Sequence, residues 1–318
     1  MTSQVLPFES FRTDQRTSLA IGNFDGVHIA HQGLIRTMVQ DAREIGAAAY
    51  VLTFEPHPRK VLNGSSDFHL LQTYPRKYES LLKIGLDGVV VANFTPEFSQ
   101  VSPLRFLEEI CTRFSLESVS VGFNFSFGKG AEGTPDTMRS FLDRKGIHCH
   151  ILEPVQVGGV RISSAFLRNE ISKGRLESYK EYTGRFFLVE GTVTQGRKRG
   201  RKLGFATANL QSFSSLLKHG VYIARVFTPD EKAHQALVHL GPNPTFEDEQ
   251  VKMEVHIPGL DQDLYGEHIQ VEFLKYLREV RNFQDSTKLK ERILMDLQSM
   301  DEFFSNARFE NELTLFTG

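Results

Sequence analysis

The sequence predicts two domains of different class: an α/β domain on a doubly wound parallel sheet, then a mostly β domain closed by a helix. Three observations carry this reading. Short apolar runs recur through the first half at intervals of roughly 30 residues, the length of a βαβ unit. The alternation stops near residue 184, after which strand-like segments follow one another with turns between them. The closing segment returns to helical apolar spacing. A chain of 318 residues suits two domains at roughly 100–200 residues each, and the boundary is placed between 1–184 and 185–318.

Taken in order, the strands expected in the first domain are Ser18–Asn23, Ala47–Phe54, Gly88–Ala92, Ser118–Gly122 and His148–Leu152. Between them, Gly33–Ile45 and Pro103–Phe114 carry apolar residues at helical spacing, such as Leu34, Ile35, Met38, Ala42 in one and Phe106, Leu107, Ile110 in the other. Ser164–Ser172 and Leu176–Thr183 read as two short helices that close this domain. In the second domain the expected strands are Phe186–Thr194, Val221–Phe227, Gln235–Leu240, Val251–Ile257 and Ile269–Phe273, forming an antiparallel sheet or barrel. A final helix over Ser286–Phe304 aligns Leu289, Ile293, Leu297, Met300 and Phe304 on one face.

Composition excludes several classes. Hydrophobic residues make up 40% and charged residues 24%, as in folded globular chains rather than disordered ones. A net charge of −2 gives no bulk electrostatic case for nucleic acid or an anionic membrane. Cys111 and Cys149 are the two cysteines, which argues against a disulfide scaffold and for a reducing compartment. The opening segment has no apolar core of signal-peptide length, and no stretch approaches the roughly 20 apolar residues of a membrane span. A cytoplasmic protein is expected; composition does not speak to oligomeric state. His148-Cys149-His150 reads as a strand with its histidines on one face, not as a metal cluster.

Ligands of doubly wound sheets sit at the carboxyl ends of the strands. The segment just after the first strand, Ile21-Gly22-Asn23-Phe24-Asp25-Gly26-Val27-His28-Ile29-Ala30-His31, runs into the first helix. Glycines permit a tight turn, a helix start offers unpaired N–H groups to phosphate, and histidines three apart share a face. Spacing alone also admits a glycine-rich turn with two exposed histidines.

GNFDGVHIAH resembles the His-x-Gly-His region of nucleotidylyltransferases, in the form found in the bacterial bifunctional riboflavin kinase/FMN adenylyltransferase (FAD synthetase) family. Further segments match in order: TFEPHPRKVL from Thr53, LQTYPRKYESLLKIGLDGVVV from Leu71, VGFNFSFGKGAEG from Val121, RISSAFLR from Arg161, GRKLGFATANL from Gly200, LGPNPTF from Leu240 and DLYGEHIQVEFLKYLREVRNF from Asp263. The resemblance spans nearly the whole chain. It implies a Rossmann-like nucleotidylyltransferase domain and a riboflavin-kinase-like β-barrel, with ATP as co-substrate and Mg²⁺ as cofactor. It implies that riboflavin is phosphorylated to FMN, and that FMN then takes AMP from ATP with release of pyrophosphate.

By motif, His28 and His31 meet the ATP phosphates. Gly22, Asn23, Phe24 and Asp25 shape the nucleotide pocket, and Asn124 lies near the phosphates. Arg161, Ser163, Ser164 and Arg168 form a second phosphate-holding segment. In the second domain, Gly204 belongs to the nucleotide loop, Thr207 and Asn209 hold the metal, Glu254 is the base for the ribityl hydroxyl, and Arg278 and Glu279 lie at the flavin. Without the resemblance, Glu254 reads as an outward residue of an alternating strand. Four residues depart from the pattern: Ala30 replaces Gly between the histidines, Ala165 and Phe166 replace Thr-Arg, and Ala206 replaces Pro. Two competing readings are a single-activity enzyme with one module silenced by these departures, and a non-catalytic flavin- or RNA-binding regulator using the basic run Arg197–Lys202. No interleaved aromatics support nucleic-acid binding.

Overall fold

A computed structural model describes residues 4–64, 68–194, 205, 207–211, 216–243, 245 and 248–306. By packing, the chain divides into two compact units, residues 1–167 and 168–318.

In the first unit, β2 (Thr13–Ile21), β3 (Ala48–Glu55), β4 (Gly88–Asn93), β5 (Phe114–Gly122) and β6 (His148–Leu152) are the five expected strands. The edge strand β1 (Gln4–Pro7) adds a sixth, pairing parallel to β4. The sheet order is β1-β4-β3-β2-β5-β6, with every pair parallel. The chain moves outward from β2 to β4, then returns to the other side of β2 for β5 and β6. The switch point therefore falls between β2 and β5, where such sheets open a crevice.

Alternate side chains feed two cores, one on each face of the sheet. Leu19, Ile21, Tyr50, Leu52 and Phe54 face α4 (Pro103–Arg113) and α5 (Pro135–Asp143), through Phe106, Leu107, Ile110, Met138, Phe141 and Leu142. Ala20, Ala49 and Val51 face α1 (Ile29–Glu44) and α3 (Tyr74–Leu82), through Leu34, Ile35, Met38 and Leu81. The short helix α2 (Pro58–Leu62) follows β3. After β6 come the hairpin β7 (Gln156–Val157) and β8 (Val160–Arg161), then α6 (Ser164–Ser172).

In the second unit, α7 (Leu176–Thr183), expected from the sequence to close the first domain, packs on barrel strands. Its apolar residues Leu176 and Tyr179 are buried, and the Tyr179 ring meets Phe187 edge-on at 5.4 Å. The strands β9 (Phe187–Thr194), β10 (Ala208–Leu210), β11 (Gly220–Phe227), β12 (Ala233–Asn243), β13 (Asp248–His256) and β14 (His268–Arg278) close into an antiparallel barrel in the order β10-β13-β12-β11-β14-β9. Closure removes the free edges that an open sheet would expose.

The terminal helix α8 (Ser286–Ser305) covers the outer wall. Leu297, Met300, Phe303 and Phe304 pack there against Val221, Ile223, Leu237 and Leu274. It is also held by charge: the buried Asp296 carboxylate accepts from Arg278 Nε at 2.9 Å and Nη2 at 2.6 Å, and Arg292 Nε lies 3.1 Å away. Asp296→Ala leaves a guanidinium buried without its partner, a loss of about 3–5 kcal/mol. Amide exchange in α8 and β14 should accelerate accordingly; unchanged protection would show the pair to be dispensable. No helix among the described residues is long and apolar enough to cross a membrane.

Candidate active site

The turn between β2 and α1 sits at the switch point and is strained. Phe24 has φ 49° and Val27 φ 39°, both left-handed, and Gly26 has φ 84°. For a bulky or β-branched residue this conformation costs on the order of 1–3 kcal/mol. A Cβ at Gly26 would also lie 2.7 Å from Leu71 Cδ1, so glycine is required there.

The surroundings hold this turn carbonyl by carbonyl. Asn23 O accepts from Thr53 Oγ1 at 3.2 Å and from Lys77 Nζ at 3.4 Å. Asp25 O accepts from Ser164 Oγ at 2.8 Å, and Val27 O from Gln32 Nε2 at 2.8 Å. The buried Asp25 carboxylate accepts from Leu71 N at 3.0 Å. Five segments of the chain thus converge on six residues.

The turn delivers two imidazoles. The His28 and His31 rings are stacked at 3.7 Å with 18° between planes, and Phe24 meets His31 edge-on at 5.3 Å. Both Nδ1 atoms, and Asn23 Oδ1, are buried without a hydrogen-bond partner. Unpaired buried polar groups are uncommon and often mark a ligand site. Burial pushes the His28 imidazole down to about 4. Burial, then the neighbouring His28 and the Lys77 ammonium, push His31 well below its ordinary value. Both rings are neutral at pH 7.

The other carboxyl-end segments lie around the same edge of the sheet. Asn124 is exposed on the turn after β5, and the Arg161 guanidinium lies over the adjacent Phe123 ring at 4.4 Å. Ser163 Oγ accepts from Phe166 N at 3.2 Å, capping the start of α6.

On the barrel, strand register aligns polar residues in a row. Asn209 is opposite Glu254 and also opposite Thr194, and Glu254 is opposite His239. Met253 and Val255 point into the core, so Glu254 faces outward. Asn243 Nδ2 donates to Glu254 Oε2 at 3.2 Å. His239 Nε2 lies 3.2 Å from Pro242 O. Burial lowers the His239 pKa, against the Glu254 carboxylate, which raises it.

Two family descriptions cover the two halves of the chain: FAD synthetase over residues 10–166 and Riboflavin kinase over residues 183–304. A bifunctional riboflavin kinase/FMN adenylyltransferase of Listeria monocytogenes is 33% identical, over 92% of this chain and 94% of its own. The protein of that name from Bacillus subtilis is 32% identical, over 95% and 97%. The chain belongs to the bifunctional riboflavin kinase/FMN adenylyltransferase family. A solved structure titled as a macrolide-efflux protein from Streptococcus pneumoniae aligns with a TM-score of 0.81 at 24% identity, over 93% of this chain and 98% of that one, a likeness of fold.

Within this family framework, the structure gathers Gly22, Asn23, Phe24, Asp25, His28, His31 and Ser164 at one turn. Asp25 is turned to Leu71 and serves the loop's own geometry. Arg168 lies one turn beyond Ser164 along α6. On the barrel, Asn209 and Glu254 are cross-strand partners, and Thr207 adjoins β10. Arg278 is committed to Asp296 and to Glu279 O. Glu279 is exposed and pairs with Lys218 at 2.8 Å. Gly204, Ala206 and the basic run Arg197–Lys202 lie outside the described residues.

His57 caps α2, its Nδ1 accepting from Arg59 N at 3.2 Å. His148 and His150 are exposed on one side of β6 while Cys149 packs inward. Sequence reasoning missed Lys77, His239 and Asn243. A signal existed for Lys77, which stands four residues before Leu81 on the inward face of α3.

Proposed function

We propose that the family's two reactions are divided between two sites of this chain: adenylylation of FMN at the β2–α1 turn, and phosphorylation of riboflavin on the barrel wall at Glu254. The enzyme works in the cytoplasm, where its free thiols Cys111 and Cys149 would stay reduced. The observation that carries the first assignment is the stacked, buried and unpaired His28–His31 couple on a strained turn at the switch point.

At that turn, an oxygen of the FMN phosphate attacks the α-phosphorus of ATP in line, the α–β bridging P–O bond breaks, and pyrophosphate leaves. The protein's part is positioning and charge stabilisation. Neutral His28 and His31 donate N–H bonds to the phosphates as charge builds on the leaving group. The free N–H groups at the start of α1 add partial positive charge. Arg161, Ser163, Ser164, Arg168 and Asn124 hold the remaining phosphate oxygens.

On the barrel, Glu254 takes the proton of the ribityl 5′-hydroxyl as its oxygen attacks the γ-phosphorus, and ADP leaves. Asn243 orients that carboxylate through the bond to Oε2. The hydroxyl of Thr207 and the amide oxygen of Asn209 beside Glu254 are the oxygen donors a Mg²⁺ ion prefers. They would hold it where it neutralises phosphate charge. The family motif assigns Gly204 to nucleotide binding. Arg278, its guanidinium held by Asp296, and the adjacent Glu279 would flank the flavin as structural supports of that side.

The test is a product assay on the intact chain, with riboflavin or FMN supplied in separate reactions with Mg-ATP. FMN and then FAD should form from riboflavin, and FAD alone from supplied FMN. EDTA should stop both and added Mg²⁺ restore them. Failure of either reaction in a folded protein points to the single-activity reading; ligand binding without any turnover points to the regulator.

A further inference from the structure

Lys77 is a buried lysine, 4% exposed, with no ion-pair partner within salt-bridge distance among the described residues. Its ammonium donates to Thr53 Oγ1 at 3.0 Å and to Asn23 O at 3.4 Å. It lies over the Tyr74 and Tyr78 rings at 5.2 and 5.3 Å. Burying a charge costs several kcal/mol unless something requires it, and a hydrophobic residue would fill the inward face of α3 more cheaply. The requirement is at the other end of its bonds. Asn23 begins the turn whose left-handed Phe24 and Val27 aim the two histidines, and Thr53 closes on the same carbonyl. We propose that Lys77 is a positioning residue for adenylyl transfer: its ammonium locks the Gly22–Val27 turn through the Asn23 carbonyl and so fixes the His28–His31 couple, and it does so only while protonated. This rests on reading that turn as the adenylylation site.

The charges around it sharpen the test. Asp25 from the turn and Glu55 from β3 hold the proton on Lys77, while burial, the larger effect, pushes it down to about 8. Tyr74 and Tyr78 from α3 are both raised, chiefly by burial, and Tyr78 is bonded to Glu55. His28 and His31 are neutral already. Lys77 is therefore a group facing this turn that changes charge between pH 7 and 9.

The experiment measures FAD formation from FMN and FMN formation from riboflavin, in parallel, on the full chain. Lys77→Met should lower kcat for FAD formation about 100-fold, as a misplaced reacting geometry does, with little change in KM for FMN and none in riboflavin phosphorylation. In the unaltered enzyme FAD formation should fall above about pH 8 while the kinase step does not. Lys77→Arg should recover part of the rate and carry the alkaline limb beyond pH 9. Full FAD-forming activity in a folded Lys77→Met protein overturns the proposal, and so does an alkaline limb that stays near pH 8 in Lys77→Arg, which decides the matter even if the Met variant fails to fold. FAD formation that survives His28→Ala would instead refute the site assignment beneath it.

Discussion

Glu254→Gln should lower kcat for riboflavin phosphorylation by about 100- to 10,000-fold, the usual worth of a positioned general base, and leave adenylylation of supplied FMN unchanged. Gln has the shape of Glu and keeps an oxygen for the Asn243 amide that now bonds Oε2 at 3.2 Å. Met253 and Val255, the residues on either side, are fully buried and continue to hold β13 in the barrel. What the substitution removes is the capacity to take a proton. Separate assays with riboflavin and FMN, alongside a melting curve, read this directly. A variant that melts normally yet loses both activities would contradict the division of labour between the units. One that keeps its kinase rate would remove Glu254 as the base.

The arrangement around Glu254 also shows what a sequence can and cannot disclose. The βαβ rhythm of the first half placed five parallel strands, because fully buried strands are continuous apolar runs and their helices are amphipathic. The edge strand at Gln4–Pro7 escaped because four residues give no period to read. The three-residue strand Ala208–Leu210 was visible as a motif but not as a strand. Glu254 sits in a plain alternating strand, so its distinction from any solvent-facing glutamate came from resemblance. Only the register, which brings Asn209 to one side of it and His239 to the other, supplies a physical reason. Arg278 shows the converse: the motif singled it out, yet its guanidinium is bound to Asp296, 18 residues further along the chain. Long-range pairing of this kind leaves no periodic trace in sequence. The histidine turn was legible because glycine spacing and a helix start coincide there; the left-handed Phe24 and Val27 were not, since neither residue type announces that conformation.

Replacing either His28 or His31 with Ala should reduce kcat for FAD formation about 100- to 1,000-fold, the loss expected when one donor to developing transition-state charge is removed. The double variant should fall well short of the product of the two. The rings are stacked at 3.7 Å, so each fixes the other's plane, and groups acting as a unit are not additive. Stability should move the other way or not at all. His28 stands at the N-cap of α1 but makes no side-chain capping bond, so no cap is lost. Its Nδ1 and that of His31 are buried without partners, and removing an unsatisfied polar atom relieves a desolvation cost. The imidazoles add a pH signature. Because burial lowers both pKa values, with His28 at about 4, the unfolded chain binds more protons than the folded one below about pH 6.5. Their contribution is intact above that pH and is lost as pH falls toward 4. The alanine variants should therefore resist acid unfolding better than the parent protein while forming FAD far more slowly. Variants that lose activity and stability together would mark the pair as architecture; a loss of rate with stability kept or gained is what a site held ready for phosphate requires.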